Sequence, residues 1–415
     1  MNRLQLTLFV LAATVVLAPP FWGAEPNWPG WRGPNRTDVT SETGFLKEWP
    51  KAGPRRVWLF DNCGVGFSGP AVVGDRLYIM GARDGKERIL ALNSNTGDEL
   101  WDREVDKEWE QGRGNGPRST PTVVGDRVYA LSANGRVVCL KRNDGKELWN
   151  ASLVKLGGSP PNWGYCESVL VDQGRLICTP GGPQGAIVAL NAYSGKVEWQ
   201  STKFTEPAQY ASPQAIELNG ERQYVQLTMK SIVGVDANNG KVLWRSDWPG
   251  ATAVITTPII HDNQVYVTSG YGVGCKLVKI DAQNKTSDVY FNKKMKNQHG
   301  GVILLDGKLY GYSDKIGWVC QDFNTGKIVW SEKQALGKGS IAYADGRFYC
   351  FSENEGTVVL IDASPGGWKE RGRFTLTLKS KLRQPRWLIW THPVATGGRL
   401  FLRNQELLFC FDVGA

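Results

Sequence analysis

Seven side chains capable of ligand binding or acid–base chemistry hold equivalent places in this chain. Each lies one to three residues before a short apolar segment, and such segments recur along the sequence. Basic side chains can pair with an anionic ligand, and aromatic side chains can stack on a flat one. If the apolar segments converge, these side chains form one binding site. They are Arg118, Glu167, Tyr210, His299, Lys338, Trp390 and His392.

We expect this site to bind an anionic or polar ligand. Arg118 and Lys338 would be the charge partners, and Tyr210 and Trp390 would be the stacking surfaces. In the alternative interpretation, the same side chains hydrate a loop rim or cap strand ends. The other repeat units carry Phe67, Cys166 and Ile255 at the matching place.

Two histidines and a glutamate are chemically suited to bind a metal ion. However, His299, His392 and Glu167 belong to three different repeat units, and isolated histidines are usually hydrogen-bonded structural residues. We therefore predict no metal site. No histidine stands beside a serine or cysteine in a nucleophile motif, so we also predict no catalytic residues.

Two glycine-containing motifs have simpler explanations than cofactor binding. Residues 64–69 match GxGxxG by letter, but an apolar strand follows them, where a dinucleotide site needs a helix. Residues 236–240 and 322–326 imitate the start of a calcium loop and lack the glutamate required at its twelfth position. Turns that use Asn and Gly for left-handed residues explain the latter two.

The elements that position the seven side chains are repeated hairpins. A phrase of a small residue, Asp or Asn, a glycine turn and Trp occurs five times, at a period of about 40–50 residues or twice that. Eight hairpins with an apolar strand on each side of a Gly, Asp or Asn turn accompany it. In the fifth and seventh units the Trp phrase has decayed. The hairpins span residues 70–78, 121–129, 169–177, 213–224, 258–266, 302–310, 341–349 and 393–401.

One hairpin and one Trp phrase make four short antiparallel strands, the content of a propeller blade. We therefore predict an all-β, eight-bladed β-propeller over residues 57–415. The eighth unit stops before a fourth strand, and residues 55–60 read as an isolated one. Pairing the two would close the ring and remove both free edges. Residues 25–56 would be an N-terminal arm packed on the outside or bottom.

The N-terminus and the composition bear on where the protein works. Residues 1–24 contain one early charge and an apolar run, which predicts a signal peptide; a buried helix is the alternative. The net charge of +9 comes without a Lys/Arg run, so we expect no nucleic-acid partner. Eight scattered cysteines favour small core residues, with a disulfide left open.

The Trp phrases resemble the repeat of pyrroloquinoline-quinone dehydrogenases, Ala-x-Asp-x-x-x-Gly-x-x-x-Trp. This PQQ-like repeat also occurs in a non-enzyme, the propeller lipoprotein of the outer-membrane β-barrel assembly machinery. The resemblance implies that each tryptophan docks its blade onto the next one. Adjacent cysteines, a CxxCH haem motif and a lipid-attachment cysteine are all missing from this sequence. The docking residues would be Trp101, Trp149, Trp199, Trp244 and Trp330.

From these features we favour a non-catalytic scaffold that binds a protein or polymer partner. We expect an exported monomer of the cell envelope, periplasmic or extracellular, without a lipid anchor, a transmembrane segment or a cofactor. The alternative is a small quinoprotein oxidoreductase, an alcohol or sugar dehydrogenase that uses pyrroloquinoline quinone with calcium. A fold shared by enzymes and non-enzymes does not decide between the two.

Overall fold

The computed structural model describes residues 27–415, so the predicted signal peptide at residues 1–24 lies outside the described part. Strands and turns make up these residues, and the strands form eight antiparallel blades in a ring. The predicted eight-bladed propeller is confirmed. Within residues 27–415, no helix is long and apolar enough to cross a membrane.

Three short strands precede the first complete blade. They are β1 (Asn27–Trp28), β2 (Val39–Thr40) and β3 (Arg56–Phe60). Blades 1 to 4 follow, each with its strands in sequence order from the inside outward. Their strands are β4 (Ala71–Val73), β5 (Arg76–Arg83), β6 (Lys86–Asn93) and β7 (Glu99–Lys107); β8 (Thr122–Val124), β9 (Arg127–Leu131), β10 (Arg136–Lys141) and β11 (Glu147–Ser152); β12 (Leu170–Asp172), β13 (Arg175–Cys178), β14 (Val188–Asn191) and β15 (Val197–Gln200); and β16 (Gln214–Leu218), β17 (Glu221–Leu227), β18 (Ser231–Asp236) and β19 (Val242–Asp247).

Blades 5 to 8 complete the ring. Blades 5 and 7 have full third and fourth strands, although their sequences have lost the Trp phrase. The strands are β20 (Ile259–His261), β21 (Gln264–Ser269), β22 (Gly274–Ile280) and β23 (Thr286–Asn292); β24 (Val302–Leu305), β25 (Lys308–Ser313), β26 (Gly317–Asp322) and β27 (Ile328–Glu332); β28 (Gly339–Ala344), β29 (Arg347–Ser352), β30 (Thr357–Asp362) and β31 (Glu370–Thr375); and β32 (Val394–Thr396), β33 (Arg399–Asn404) and β34 (Leu407–Asp412).

Strand β3 closes the ring, as the sequence predicted. It pairs antiparallel with β34 and is the outermost strand of blade 8, with Trp58 opposite Cys410. The first and last parts of the propeller are thus joined in one sheet, so neither leaves an open edge at the junction.

The core lies between the faces of neighbouring blades. One buried cluster, for example, joins Tyr78 and Ile89 of blade 1 to Val128 and Val138 of blade 2. Most of the cysteines lie in such clusters, and all eight are unpaired. The interpretation of the cysteines as small core residues agrees with this arrangement, and the disulfide alternative does not.

The N-terminal arm, which we predicted on the outside or bottom of the ring, takes two different paths. Phe45 and Trp49 lie against the ends and outer strand of blades 7 and 8, whereas residues 27–40 do not pack on the outside or bottom. Residues 27–40 lie inside the central channel, because they contact the inner side of every blade and their large side chains are buried. For residues 27–40 the prediction was wrong, because only long-range contacts place them. The contacts are β1 with β4, Pro29 O with Val123 N, Arg36 with Ser168 O and Gln214, Trp31 with Thr257, Arg32 with Val302 O, β2 with β28, and Asp38 with His392.

Candidate functional site

The inner strand of each blade begins at the same end of the channel, so the residues before these strands meet there. We call this end the mouth. A concave cavity of about 360 Å³ opens at the mouth, and Trp31 of the arm forms part of its lining. The lining residues are Trp31, Phe67, Arg113, Arg118, Trp163, Cys166, Tyr210, Ser212, Thr252, Ile255, Tyr271, Gln298, His299, Glu353, Leu388 and Trp390. We refer to it as the mouth cavity.

Four of the seven predicted residues line the mouth cavity: Arg118, Tyr210, His299 and Trp390. Phe67, Cys166 and Ile255, which hold the matching place in other units, line it as well. The remaining three, Glu167, Lys338 and His392, do not. The sequence position therefore predicts proximity to the mouth, and the direction of each side chain decides whether it reaches the cavity.

Six of the sixteen residues that line the cavity are Phe, Trp or Tyr, and several of these rings contact one another. The ring centroids of Phe67 and Trp390 are 5.0 Å apart, and those of Trp163 and Tyr210 are 5.4 Å apart. Arg118 lies over the ring of Phe67 at 4.9 Å, in a cation–π contact. Such walls favour a flat or bulky apolar group over a small polar one.

Arg118 is held by its own loop. Its guanidinium donates to the carbonyl oxygens of Gly116, at 2.9 Å, and Gly114, at 2.7 Å. Burial lowers the pKa of Arg118 from its usual value, and nearby Cys166 and Glu87 oppose that shift. Because two of its donors are already used, Arg118 has less capacity to bind an anion than the sequence suggested.

A carboxyl and an imidazole face each other at one side of the cavity. Oε2 of Glu353 lies 3.2 Å from Nε2 of His299, but the two atoms are not aligned for a hydrogen bond and neither has another partner within residues 27–415. Burial raises the pKa of Glu353 to about 7, partly opposed by the charge of Lys338. Burial, and then Lys338, holds the pKa of His299 well below 6.5.

His392 binds the arm, whereas Glu167 binds neighbouring strands of the blades. Nδ1 of His392 is 3.1 Å from Oδ2 of Asp38, and Nε2 is 2.8 Å from the His299 carbonyl oxygen. Both ring nitrogens thus face oxygen atoms, and these contacts orient the ring away from the cavity. Glu167 accepts from the Thr179 backbone N–H, and burial raises its pKa to about 7.

Lys338 lies outside the cavity, where its ammonium group pairs with Asp314 at 2.9 Å and donates to Gln298. Its predicted role as a ligand charge partner would require breaking this ion pair. Within residues 27–415, no group of three or more His, Cys, Asp or Glu side chains is arranged to hold a metal ion.

Comparison with known proteins adds the family. The family model described as outer membrane protein assembly factor BamB matches residues 85–332, which is more than half of the chain. The chain belongs to this BamB family. Among solved structures, BamB from Moraxella catarrhalis aligns with a TM-score of 0.62 at 14% identity, covering 86% of this chain and 99% of that one. At this identity, the likeness supports the fold.

Two curated proteins that are similar in sequence to this chain are also BamB proteins. Outer membrane protein assembly factor BamB of Kangiella koreensis is 26% identical over 224 residues, which is 52% of each chain. The BamB of Burkholderia pseudomallei is 24% identical over 295 residues, 60% of this chain and 71% of the relative. The match with the Kangiella protein therefore spans about half of that relative's length.

Quinoproteins are also similar. Quinoprotein ethanol dehydrogenase of Pseudomonas putida is 25% identical over 326 residues, covering 68% of this chain and 49% of the enzyme. The crystal structure of quinohemoprotein alcohol dehydrogenase from Comamonas testosteroni aligns with a TM-score of 0.59 at 12% identity, covering 95% of this chain and 82% of that one. The BamB family propeller thus shares its fold with enzymes.

The mouth cavity of this BamB family member does not fit pyrroloquinoline quinone, a flat tricarboxylate. A buried carboxylate needs a cation or free donors. Here Arg118 donates to its own loop, Lys338 is paired with Asp314, and the Glu353 carboxyl faces the cavity. In the described part of the chain, Arg113 alone among the lining residues therefore offers an uncommitted cation to three carboxylates. The Glu353 carboxyl would repel an anionic ligand whenever it is ionised.

Sequence reasoning missed four further lining residues with clear roles. Trp31 comes from the arm and belongs to no repeat. Glu353 and Tyr271 lie in turns between the second and third strands of their blades. Trp163 lies in the connection from blade 2 to blade 3. The turns between second and third strands lie at the mouth as well, so counting forward from each hairpin would have found Glu353 and Tyr271.

Four of the five tryptophans named from the resemblance donate an indole hydrogen bond to the next blade. Trp244 is the exception, since it donates at 2.7 Å to Gln223 of its own blade. Two residues outside the Trp phrase make equivalent contacts: Trp58 donates to Ser94 O, and Tyr290 donates to Phe323 O. The four contacts are Trp101 to Arg142 O, Trp149 to Ala192 O, Trp199 to Ala237 O and Trp330 to Ser364 O.

Proposed function

We propose that this protein is a non-catalytic scaffold, exported to the cell envelope, that binds a protein partner at the mouth. One observation carries the proposal: the arm fills the channel, so the accessible concave surface on the propeller axis is the shallow, aromatic mouth cavity. Aromatic pockets of this kind receive the anchor side chains of protein partners. The family, described as outer membrane protein assembly factor BamB, supports the envelope location.

The chemistry of the cavity also favours binding over catalysis. Burial raises the pKa of the Cys166 thiol to about 12, so it stays protonated at neutral pH and is a weak nucleophile. Arg118 is committed to two carbonyl oxygens. The absence of a bound cofactor, the monomeric state and the lack of a lipid anchor remain predictions.

Photocrosslinking in the source cell tests the proposal directly. A photoreactive phenylalanine replaces Tyr271, which is 41% exposed and lines the mouth cavity. The matched control replaces Tyr193, which is 67% exposed in a turn at the opposite end of blade 3. We expect the Tyr271 probe to give discrete protein adducts, sensitive to protease, in the envelope fraction.

The control should give no such adduct. Two results would overturn the proposal: no protein adduct from several positions around the mouth, or turnover of an alcohol or sugar by the purified protein supplied with quinone and calcium. A deletion strain supports it further if its envelope proteins are depleted and the wild-type gene, but not a Trp390→Ala variant, restores them.

A further inference from the structure

A second concave surface adjoins the mouth cavity. It is a groove of about 610 Å³ lined by Tyr271, Gly272, Lys293, Lys296, Asp314 and Lys315. Tyr271 lines both features, so the aromatic cavity and the groove are continuous at that residue. We call the second feature the lysine groove.

The positive charge of the lysine groove is not balanced locally. Lys293 and Lys315 are exposed, and none of the ion pairs within residues 27–415 includes Lys293, Lys296 or Lys315. The groove's carboxylate, Asp314, is paired with Lys338. Unpaired cations beside a concave surface attract a partner of opposite charge and speed its association.

The connection from blade 7 to blade 8 also carries exposed cations, together with exposed apolar side chains. Leu388 in that connection lines the mouth cavity. Lys379, Lys381 and Arg386 are exposed in the same connection, interleaved with Leu378 and Leu382, each 42% exposed. Exposed apolar side chains among cations are typical of a surface that a partner covers.

Building on the proposed function, we infer that the partner segment is an acidic polypeptide with one bulky apolar anchor. Its carboxylates lie along the lysine groove, and its anchor side chain enters the mouth cavity and packs against the contiguous rings of Phe67 and Trp390. Trp31 lies at the channel side of the cavity and closes it there. The remaining volume, about 360 Å³, suits one large side chain. Trp31 is fixed at the channel side by its hydrogen bond to Thr257, at 2.9 Å, and by contact with the His392 ring, which is tilted relative to it with centroids 4.6 Å apart.

Other anionic partners match these features less well. A lipid acyl chain needs depth, and Trp31 limits the depth of the cavity. An acidic polysaccharide spreads its charges along a polar chain and has no bulky apolar group to fill a cavity of about 360 Å³. A peptide uses both features at once, because carboxylates and an aromatic anchor can occur on neighbouring residues.

Fluorescence polarisation with labelled synthetic peptides tests the inference. The probe is a short run of glutamates around one tryptophan, with two comparison peptides: one with alanine in place of the tryptophan, and one with lysines in place of the glutamates. We expect the first probe to bind at least about tenfold more tightly than either comparison, a difference of about 1.4 kcal/mol. Its affinity should fall as salt rises.

Matched charge reversals locate the site. Lys293→Glu with Lys315→Glu should weaken binding of the tryptophan probe about tenfold or more. The control, Lys196→Glu with Lys241→Glu, makes the same change in net charge in exposed turns at the opposite end of the blades and should leave binding unchanged. Circular dichroism and thermal melts confirm that each variant is folded.

Three outcomes would overturn the inference: equal binding of the alanine probe, insensitivity to Lys293 and Lys315, or preferential binding of anionic lipid vesicles or an acidic polysaccharide. These failures are distinct from failure of the scaffold proposal. If Tyr271 crosslinks to a protein but the acidic probe does not bind, only the acidic-segment inference falls. If no protein crosslinks at the mouth, the scaffold proposal falls.

Discussion

Trp49 of the N-terminal arm packs directly against Gly372, at the place where other outer strands carry tryptophan. Gly372 pairs with Leu360 as Trp101 pairs with Ala91, and a Cβ on Gly372 would lie 2.6 Å from Cβ of Trp49. The Trp49 ring lies 5.8 Å from Tyr349. The equivalent pair in blade 1, Trp101 and Tyr78, is 5.9 Å apart. The arm thus supplies the aromatic ring that blade 7 lacks.

Replacing Trp49 by alanine should therefore destabilise the protein as much as losing a tryptophan of the repeat. We expect Trp49→Ala to lower the free energy of unfolding by about 3–5 kcal/mol, because it empties a buried aromatic position between blades 7 and 8. Trp330→Ala should cost a similar amount. Urea denaturation followed by tryptophan fluorescence and circular dichroism measures both.

Tyr193→Ala, at a highly exposed position, is the control and should change stability by less than about 0.5 kcal/mol. If Trp49→Ala behaved like this control, Trp49 would not be a structural replacement for the missing tryptophan.

The repeated parts of this fold could be predicted from the sequence, and the unrepeated parts could not. Period and turn chemistry located the eight blades, and the isolated strand predicted at residues 55–60 indicated the ring closure that β3 makes. The path of the arm depends on contacts such as that of Asp38 with His392, whose partners are far apart in the chain. Nothing local in the sequence marks such a pair, so the location of residues 27–40 was predicted wrongly.

The candidate site could likewise be predicted only in part: the positions of its residues follow from the repeat, but the directions of their side chains do not. Arg118, Tyr210, His299 and Trp390 were found because each precedes an inner strand, and the structure brings all four to the cavity. Side-chain direction is set by neighbours: Lys338 turns to Asp314, and His392 turns to Asp38. Those choices depend on residues in other blades and on the arm.

The buried charges of the arm give a second prediction. Asp38 is fully buried and pairs with Arg32 and His392. Asp38→Asn removes the negative charge but leaves Arg32 buried, so we expect a loss of about 3–5 kcal/mol of stability at pH 7. Chemical denaturation measures this, with the exposed Asp306→Asn as a control that should change little.

Asp38→Asn should also change how the free energy of unfolding depends on pH in acid. Burial acts to raise the pKa of Asp38, but Arg32 and His392 together lower it below its usual 3.8. A lowered folded pKa contributes stability that is present above 3.8 and lost as the pH falls. The wild-type protein should therefore lose its advantage over Asp38→Asn in strong acid. A constant difference between pH 7 and pH 3 would contradict this assignment.

Glu87 should make the protein less stable in alkali. Its Oε2 accepts from the Ala133 backbone N–H at 3.0 Å, and its Oε1 is buried with no partner among residues 27–415. Burial raises its pKa to about 8, from an ordinary value of 4.5. Because the folded pKa is the higher one, the stabilisation is complete below pH 4.5 and is lost as the pH rises through about 8.

We therefore expect Glu87→Gln to match the wild type near pH 4 and to be more stable near pH 9 by about 4–5 kcal/mol, because each pH unit between the unfolded and folded pKa values costs the wild type about 1.4 kcal/mol. Thermal melts at both pH values check this, with the exposed Glu217→Gln as a control for loss of one negative charge. An unchanged pH dependence in Glu87→Gln would show that Glu87 titrates normally.

Two glycines of blade 4 separate backbone strain from blade docking. Gly220 and Gly240 both adopt left-handed conformations, with φ of 75° and 70°. A Cβ on Gly220 would meet nothing within 4 Å, whereas one on Gly240 would lie 2.4 Å from Cε3 of Trp199 in the neighbouring blade. Glycine at the second position thus allows the indole to lie flat against the turn.

Alanine at Gly220 should cost only the left-handed strain, about 1–2 kcal/mol. Alanine at Gly240 should cost that strain plus about 1–3 kcal/mol, because the methyl group displaces Trp199 from its hydrogen bond to Ala237 O. Denaturant unfolding gives the two free energies, and the Trp199 fluorescence of the folded state should shift in the Gly240 variant alone. Since φ is matched, equal losses at the two glycines would mean that contact between Trp199 and the turn adds nothing to the docking of blade 3 on blade 4.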